Sequence, residues 1–137
     1  MSILIVDDAE GERKLLRKYL QRLGFKDIAE AADGNEAYRA MLGAKASQAH
    51  FDLVISDRNM PGLDGIGLLK ALRERKEWEH LPFILLTSQS EKNKVIEAVL
   101  ARVTSYLVKP IEEEALKLKL TQVWQAAQKV SGPATGT

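Results

Sequence analysis

Asp57 closes the stretch Phe51-Asp52-Leu53-Val54-Ile55-Ser56-Asp57, in which Leu53, Val54 and Ile55 suit a strand buried on both faces. Pro61-Gly62 then forces a turn. A carboxylate is thereby placed at the carboxyl end of a buried strand, where ligands bind in open parallel sheets. Three more apolar runs end in the same way. Ile3 to Val6 leads into Asp7-Asp8, Phe83 to Leu86 into Thr87-Ser88, and Tyr106 to Val108 into Lys109-Pro110. If these strands are parallel neighbours, three carboxylates, a hydroxyl and an ammonium meet at one edge. Carboxylates crowded together raise one another's pKa. A hard divalent cation relieves that repulsion, and an oxygen-only donor set with few protein contacts suits Mg²⁺. Each motif alone has a plainer reading: Asp57 as a turn residue, Asp7-Asp8 as an acidic pair at a helix start, Thr87 as a strand-end hydroxyl, Lys109 as a solvated lysine. Their common register points to chemistry.

The elements that must hold these residues follow from periodicity. Leu15, Leu16, Tyr19, Leu20 and Leu23 recur at helical spacing, and Gly24 stops that helix. Ile28 to Ala31 is a short strand. After the turn at Asp33-Gly34 comes a helix carrying Ala37, Tyr38, Met41 and Leu42, with Gly43 as its stop and Ala44 to His50 as a polar connection. Ile66, Leu68, Leu69 and Leu72 mark a third helix, in which Gly67 costs about 1 kcal/mol relative to Ala. Glu91 to Val103 reads as a fourth, with Val95, Ile96, Val99, Leu100 and Val103 on its apolar side. Glu112 to Lys129 reads as the last, striped by Leu116, Leu120, Val123, Trp124 and Ala127. Residues 131–137 lack periodicity and read as a flexible tail. Alternating strands and helices imply a doubly wound α/β domain over residues 1–130.

Composition narrows the class. The chain has 137 residues, enough for one domain with its own core. A net charge of +1 supplies no global field toward nucleic acid or anionic lipid, and with no cysteine there are no disulfides and no thiol chemistry. The start carries no signal-peptide pattern, and no apolar run approaches the roughly 20 residues of a membrane span. The expectation is a soluble, cytoplasmic chain with no direct contact to nucleic acid or membrane.

The motifs Asp7-Asp8, Asp57 with Asn59-Met60-Pro61 and Asp64-Gly65, Thr87-Ser88, and Lys109-Pro110 together resemble the receiver domain of bacterial two-component response regulators. The resemblance is greatest to single-domain chemotaxis (CheY-type) members and spans about residues 1 to 130. It implies a flavodoxin-like five-stranded sheet in the order 2-1-3-4-5 with five helices. It also implies Mg²⁺ held by Asp8, Asp57 and the backbone carbonyl of Asn59, with Asp7 acting through water. Asp57 would accept a phosphoryl group from a histidine kinase or phosphotransfer protein, with Lys109 and Thr87 meeting its oxygens. Thr87 and Tyr106 would form the switch, and Asn59 and Gln89 would tune dephosphorylation. Lys92, Val95, Tyr106, Lys119 and Gln122 are candidates for the face that meets a downstream partner, such as a motor switch or another effector.

The sequence departs from the family pattern in two places. Arg102-Val103-Thr104 replaces a small Gly/Ala pair, which makes a left-handed helix stop less comfortable. Arg58 stands where chemotaxis members often carry tryptophan, and is expected to point to solvent. The resemblance implies a binding module with chemistry only on itself, not an enzyme, and a monomer, with dimerisation through the last helices open. Two other readings stay open: the receiver portion of a longer regulator, and a small Mg²⁺-dependent aspartyl-phosphate phosphatase. The phosphatase is disfavoured because such enzymes need a second Asp two residues after the first, where this chain has Asn59. Pro110 makes a rigid turn that aims Lys109; its isomer is not legible.

Overall fold

The computed structural model describes residues 1–88 and 95–136. Its elements are β1 (Ser2–Val6), α1 (Glu10–Arg22), β2 (Asp27–Ala31), α2 (Gly34–Ala46), β3 (Leu53–Asp57), α3 (Gly65–Arg73), β4 (Phe83–Thr87), α4 (Val95–Leu100), β5 (Ser105–Val108) and α5 (Glu113–Gly136), with a 3₁₀ turn at Lys76–Trp78. The strands pair in parallel in the order β2-β1-β3-β4-β5, as expected. Register sets Ile3 beside Leu53 and Ile55 beside Ile84.

The apolar runs alternate in the faces they serve, because successive strand side chains point to opposite sides. Ile3, Ile5, Leu53, Ile55, Ile84 and Leu86 pack with Leu16 and Leu20 of α1 and Leu116, Leu120 and Val123 of α5. Leu4, Val6, Val54, Phe83 and Leu85 pack on the other face with Met41 of α2, Leu68, Leu69 and Leu72 of α3, and Ala98 of α4. Both faces of the sheet are thus covered, which is why its strands read as continuous apolar runs rather than alternating ones.

Helix boundaries depart from expectation in instructive ways. Gly24 does follow α1 with φ of 103°, a conformation open to glycine. Gly43, expected to stop α2, lies inside it. The helix runs on to Ala46, where the Ser47 hydroxyl donates to the Gly43 and Ala44 carbonyls at 3.1 Å. Gln48 takes the left-handed turn instead, with φ of 63°. In α4 two residues of the expected apolar side are turned outward: Val99 and Leu100 are 60% and 79% exposed, while Ala98 and Ala101 are buried and Val103 packs against the core. The small residues let the helix approach the sheet. Leu15 and Trp124 are likewise exposed, at the margins of their stripes. α5 carries helical backbone to Gly136, through the stretch expected as a flexible tail from residue 131. An established helix extends at one hydrogen bond per residue, so its end needs no packing signal. The side chain of Ala127 lies outside the described residues.

Candidate functional site

The carboxyl ends of β1, β3, β4 and β5 meet at one edge. Asp7 follows β1 and continues its ladder, donating its N–H to the Ala31 carbonyl at 3.1 Å, and Asp57 ends β3. Both continue the strand positions that face α1 and α5, so their side chains lean to the same side of adjacent strands. Lys109 does likewise two residues after Leu107, and its N–H donates to the Thr87 carbonyl at 2.6 Å. The Lys109–Pro110 peptide is cis.

These three residues meet. Lys109 Nζ lies 3.1 Å from Asp7 Oδ2 and 3.2 Å from Asp57 Oδ1. It also bonds Glu12, a carboxylate from the first turn of α1 that was not anticipated as part of the site. Its one signal in the sequence is its place a helical turn beyond the acidic pair, a weak one because acids in a first turn already suit the helix dipole. Asp7 is further fixed by the Ala9 N–H, which donates to its Oδ1 at 2.9 Å, and by Arg13 Nη1, which donates to its carbonyl at 2.6 Å. Arg13 and Arg17 both pair with Glu30, at 3.1 and 2.5 Å, clamping α1 to β2.

The electrostatics follow from burial. Asp7 and Asp57 are 1% and 7% exposed. Desolvation, reinforced by the charge of Asp7, pushes Asp57 up to about 6 in spite of Lys109. Desolvation likewise raises Asp7, against the pull of the Ala9 N–H and Lys109. Burial draws the Lys109 ammonium down, but its bond to Glu12 and the charges of Asp57 and Asp7 outweigh that and hold it above its usual value. Oxygens of Asp7, Glu12 and Asp57 lie within 4.8 Å of one another, an all-carboxylate set that fits a hard cation. In the structure the ammonium of Lys109 supplies the positive charge among them.

Asp8 stands apart from that cluster. As the next residue along the chain it turns outward, is exposed, and lines a neighbouring recess with Asn59, Met60, Pro61 and Asp64. The β3–α3 loop that carries Asn59 is pinned by the Arg58 N–H to the Leu86 carbonyl at 2.8 Å and by the Gly65 N–H to the Arg58 carbonyl at 2.9 Å. Only glycine fits at 65, since a Cβ there would lie 2.3 Å from the Asp57 carbonyl oxygen. Asp64 caps α3, accepting from the Gly67 N–H at 2.8 Å, so Gly67 belongs to the helix's first turn, where its propensity cost is smallest. Arg58, expected to point to solvent, is buried, because the start of α3 packs over its backbone.

Thr87 is buried, and its hydroxyl donates to the Ser88 carbonyl at 3.3 Å. By strand parity it faces α4, as does Tyr106, whose register partner is Leu85. Tyr106 is 37% exposed, and Lys119 Nζ sits 5.6 Å from its ring centroid. Gln122 is exposed nearby in sequence. Gln89 and Lys92 lie outside the described residues, as does the side chain of Val95.

Among the described residues, no helix is long and apolar enough to cross a membrane. Comparisons with known proteins agree with the geometry. The family described as the response regulator receiver domain matches residues 3–121. The chemotaxis protein CheY of Pseudomonas aeruginosa is 38% identical over 125 residues, covering 91% of this chain and 97% of that protein. CheY-3 of Vibrio cholerae is 39% identical, covering 91% and 92%. Among solved structures, Vibrio cholerae CheY4 superposes with a TM-score of 0.77 at 36% identity, over 89% of this chain and 97% of that one. The receiver domain of a Pseudomonas aeruginosa sensor histidine kinase, with magnesium coordinated in its active-site cleft, gives 0.75 at 26% identity, over 88% and 94%.

Proposed function

This chain belongs to the response regulator receiver family, and from that membership we propose that it is a phosphorylation-activated signalling module with Asp57 as its phosphoryl acceptor. The observation that carries this is the placement of Lys109 Nζ between Asp7 and Asp57, 3.1 and 3.2 Å away, at the carboxyl edge of the sheet. An oxygen of Asp57 forms a bond to phosphorus as the donor's P–N or P–O bond breaks, and the bonding pair leaves with the donor's imidazole or carboxylate. Lys109 meets one phosphoryl oxygen, and the Thr87 hydroxyl, after giving up its bond to the Ser88 carbonyl, meets another.

Asp8, Asp57 and the Asn59 carbonyl would hold Mg²⁺, with Asp7 acting through water. When bound, the ion neutralises the crowded carboxylates and the phosphoryl oxygens. Burial and crowding make Asp57 hold a proton more tightly than an ordinary aspartate, and a bound cation would favour its charged form. The phosphoryl donor is a histidine kinase or phosphotransfer protein. The product acts on a protein partner through α4, β5 and α5, and the named relatives favour a chemotaxis-type output. The chain modifies itself and does not turn over an outside substrate, in keeping with Asn59 two residues after Asp57.

Intact mass after incubation with Mg²⁺ and acetyl phosphate tests this reading. The expected result is a base-labile gain of one phosphoryl group, absent from Asp57→Asn and from a chelator-treated sample. A wild-type protein that binds Mg²⁺ but gains nothing from either acetyl phosphate or a histidine kinase would overturn it.

A further inference from the structure

We propose that Glu12 is a displaceable ligand of Lys109: it holds the ammonium at rest and must release it for a phosphoryl group to enter, so that Glu12 sets how readily the site loads. The inference rests on Asp57 being the phosphoryl acceptor. An ammonium has three N–H donors. Here Asp7 Oδ2, Asp57 Oδ1 and a Glu12 carboxylate oxygen are three acceptors for them. An incoming phosphoryl oxygen therefore needs one of the three to leave.

The three are not equally free to do so. Asp57 is the acceptor itself. Asp7 is buried and tied by its other oxygen to the Ala9 N–H. Glu12 is the exception. Its side chain is 52% exposed and reaches the site from a helix surface across flexible bonds, with solvent to swing into. The next residue, Arg13, is clamped to Glu30 and to the Asp7 carbonyl, so the helix turn stays fixed and only the Glu12 side chain has to move. Glu12 also adds a carboxylate to a site that an anionic donor must approach. It acts through Lys109 and is thus a positioning residue, restraining the ammonium and adding to the negative field.

Substitutions separate those two effects. Glu12→Asp keeps the charge but is one methylene too short for the bond to Lys109; Glu12→Ala removes both. Loading with acetyl phosphate and Mg²⁺, followed by intact mass, should be about 5-fold faster than wild type in Glu12→Asp, the factor expected for one partly exposed ion pair, and faster still in Glu12→Ala. Binding of beryllofluoride with Mg²⁺, a phosphoryl mimic, should tighten by a similar factor in calorimetry. In a Lys109→Ala background, Glu12→Ala should change beryllofluoride affinity less than twofold. Wild-type behaviour of Glu12→Asp beside a faster Glu12→Ala would leave only the charge effect and overturn the restraint. Unchanged or slower loading of Glu12→Ala would overturn the inference altogether. If neither wild type nor any Glu12 variant took up phosphoryl or beryllofluoride, the assignment of Asp57 would fail first, and this inference with it.

Discussion

At the scale of single residues, the site is a balance of one ammonium against several carboxylates, and pH reads that balance directly. Asp57 sits near 6 rather than the ordinary 3.8, raised first by burial and then by Asp7. Between those two values the folded protein binds a proton that the unfolded chain has released. This group's stabilising contribution is therefore complete below the lower value and lost as pH rises through the upper one, on the order of 3 kcal/mol in total. The metal-free protein should lose stability across that window in denaturant titrations, and carboxyl NMR should place the Asp57 transition near its upper end. Saturating Mg²⁺ should shift that transition to lower pH, since cation and proton compete for the same oxygens. A transition near 4 without metal would refute the burial argument. Most of these groups were legible in the sequence, because Asp7, Asp57, Thr87 and Lys109 each end an apolar run. Glu12 was not: its partner lies 97 positions away, and its place a turn beyond the acidic pair is ordinary for a helix start.

At the scale of elements, the unexpected feature is the junction of α3 with the end of α4. Arg102 adopts φ of 64° without being glycine. It is held there by a reciprocal clasp: Arg73 Nε donates to the Arg102 carbonyl at 3.0 Å, and Arg102 Nη2 donates to the Arg73 carbonyl at 3.1 Å. Arg73 is buried and also donates Nη1 to the Trp78 carbonyl at 2.8 Å. Burial first, and then the neighbouring charge of Arg102, lower its guanidinium to about 10. Arg73→Ala would strand the buried Trp78 carbonyl and remove the part-buried bond to the Arg102 carbonyl, and should cost about 2–4 kcal/mol in chemical denaturation. Arg102→Gly gains an easy left-handed conformation while losing its side-chain bond, and should change stability by less than about 1 kcal/mol. Equal losses in the two variants would argue against the clasp. The sequence flagged the missing glycine but not its substitute, which depends on contacts 29 positions apart. Periodicity also misjudged α4, since Val99 and Leu100 were assigned inward by their apolarity. The small Ala98 and Ala101 took that place because they let helix and sheet approach.

At the scale of the whole molecule, the doubly wound architecture was readable because strands and helices alternate along the chain, whereas the strand order came from the family resemblance. The switch expected of Thr87 and Tyr106 has Thr87 leave its bond to the Ser88 carbonyl and Tyr106 turn from its exposed position into the space that opens. In the structure Tyr106 lies out, with Lys119 over its ring. Structures with and without Mg²⁺ and beryllofluoride should show a rotamer change at Tyr106 and loss of the Lys119 contact; one unchanged rotamer would break the coupling. Strand parity gives this arrangement a further property. Asp7, Asp57 and Lys109 lean toward α1 and α5, whereas Thr87 and Tyr106 lean toward α4. The two sets leave opposite sides of a sheet one strand thick, and α5 touches both: its Leu116 and Leu120 pack on the first side while its Lys119 reaches the ring of Tyr106. A substitution on α5 would therefore be felt on both sides at once, so the two surfaces are not free to diverge independently.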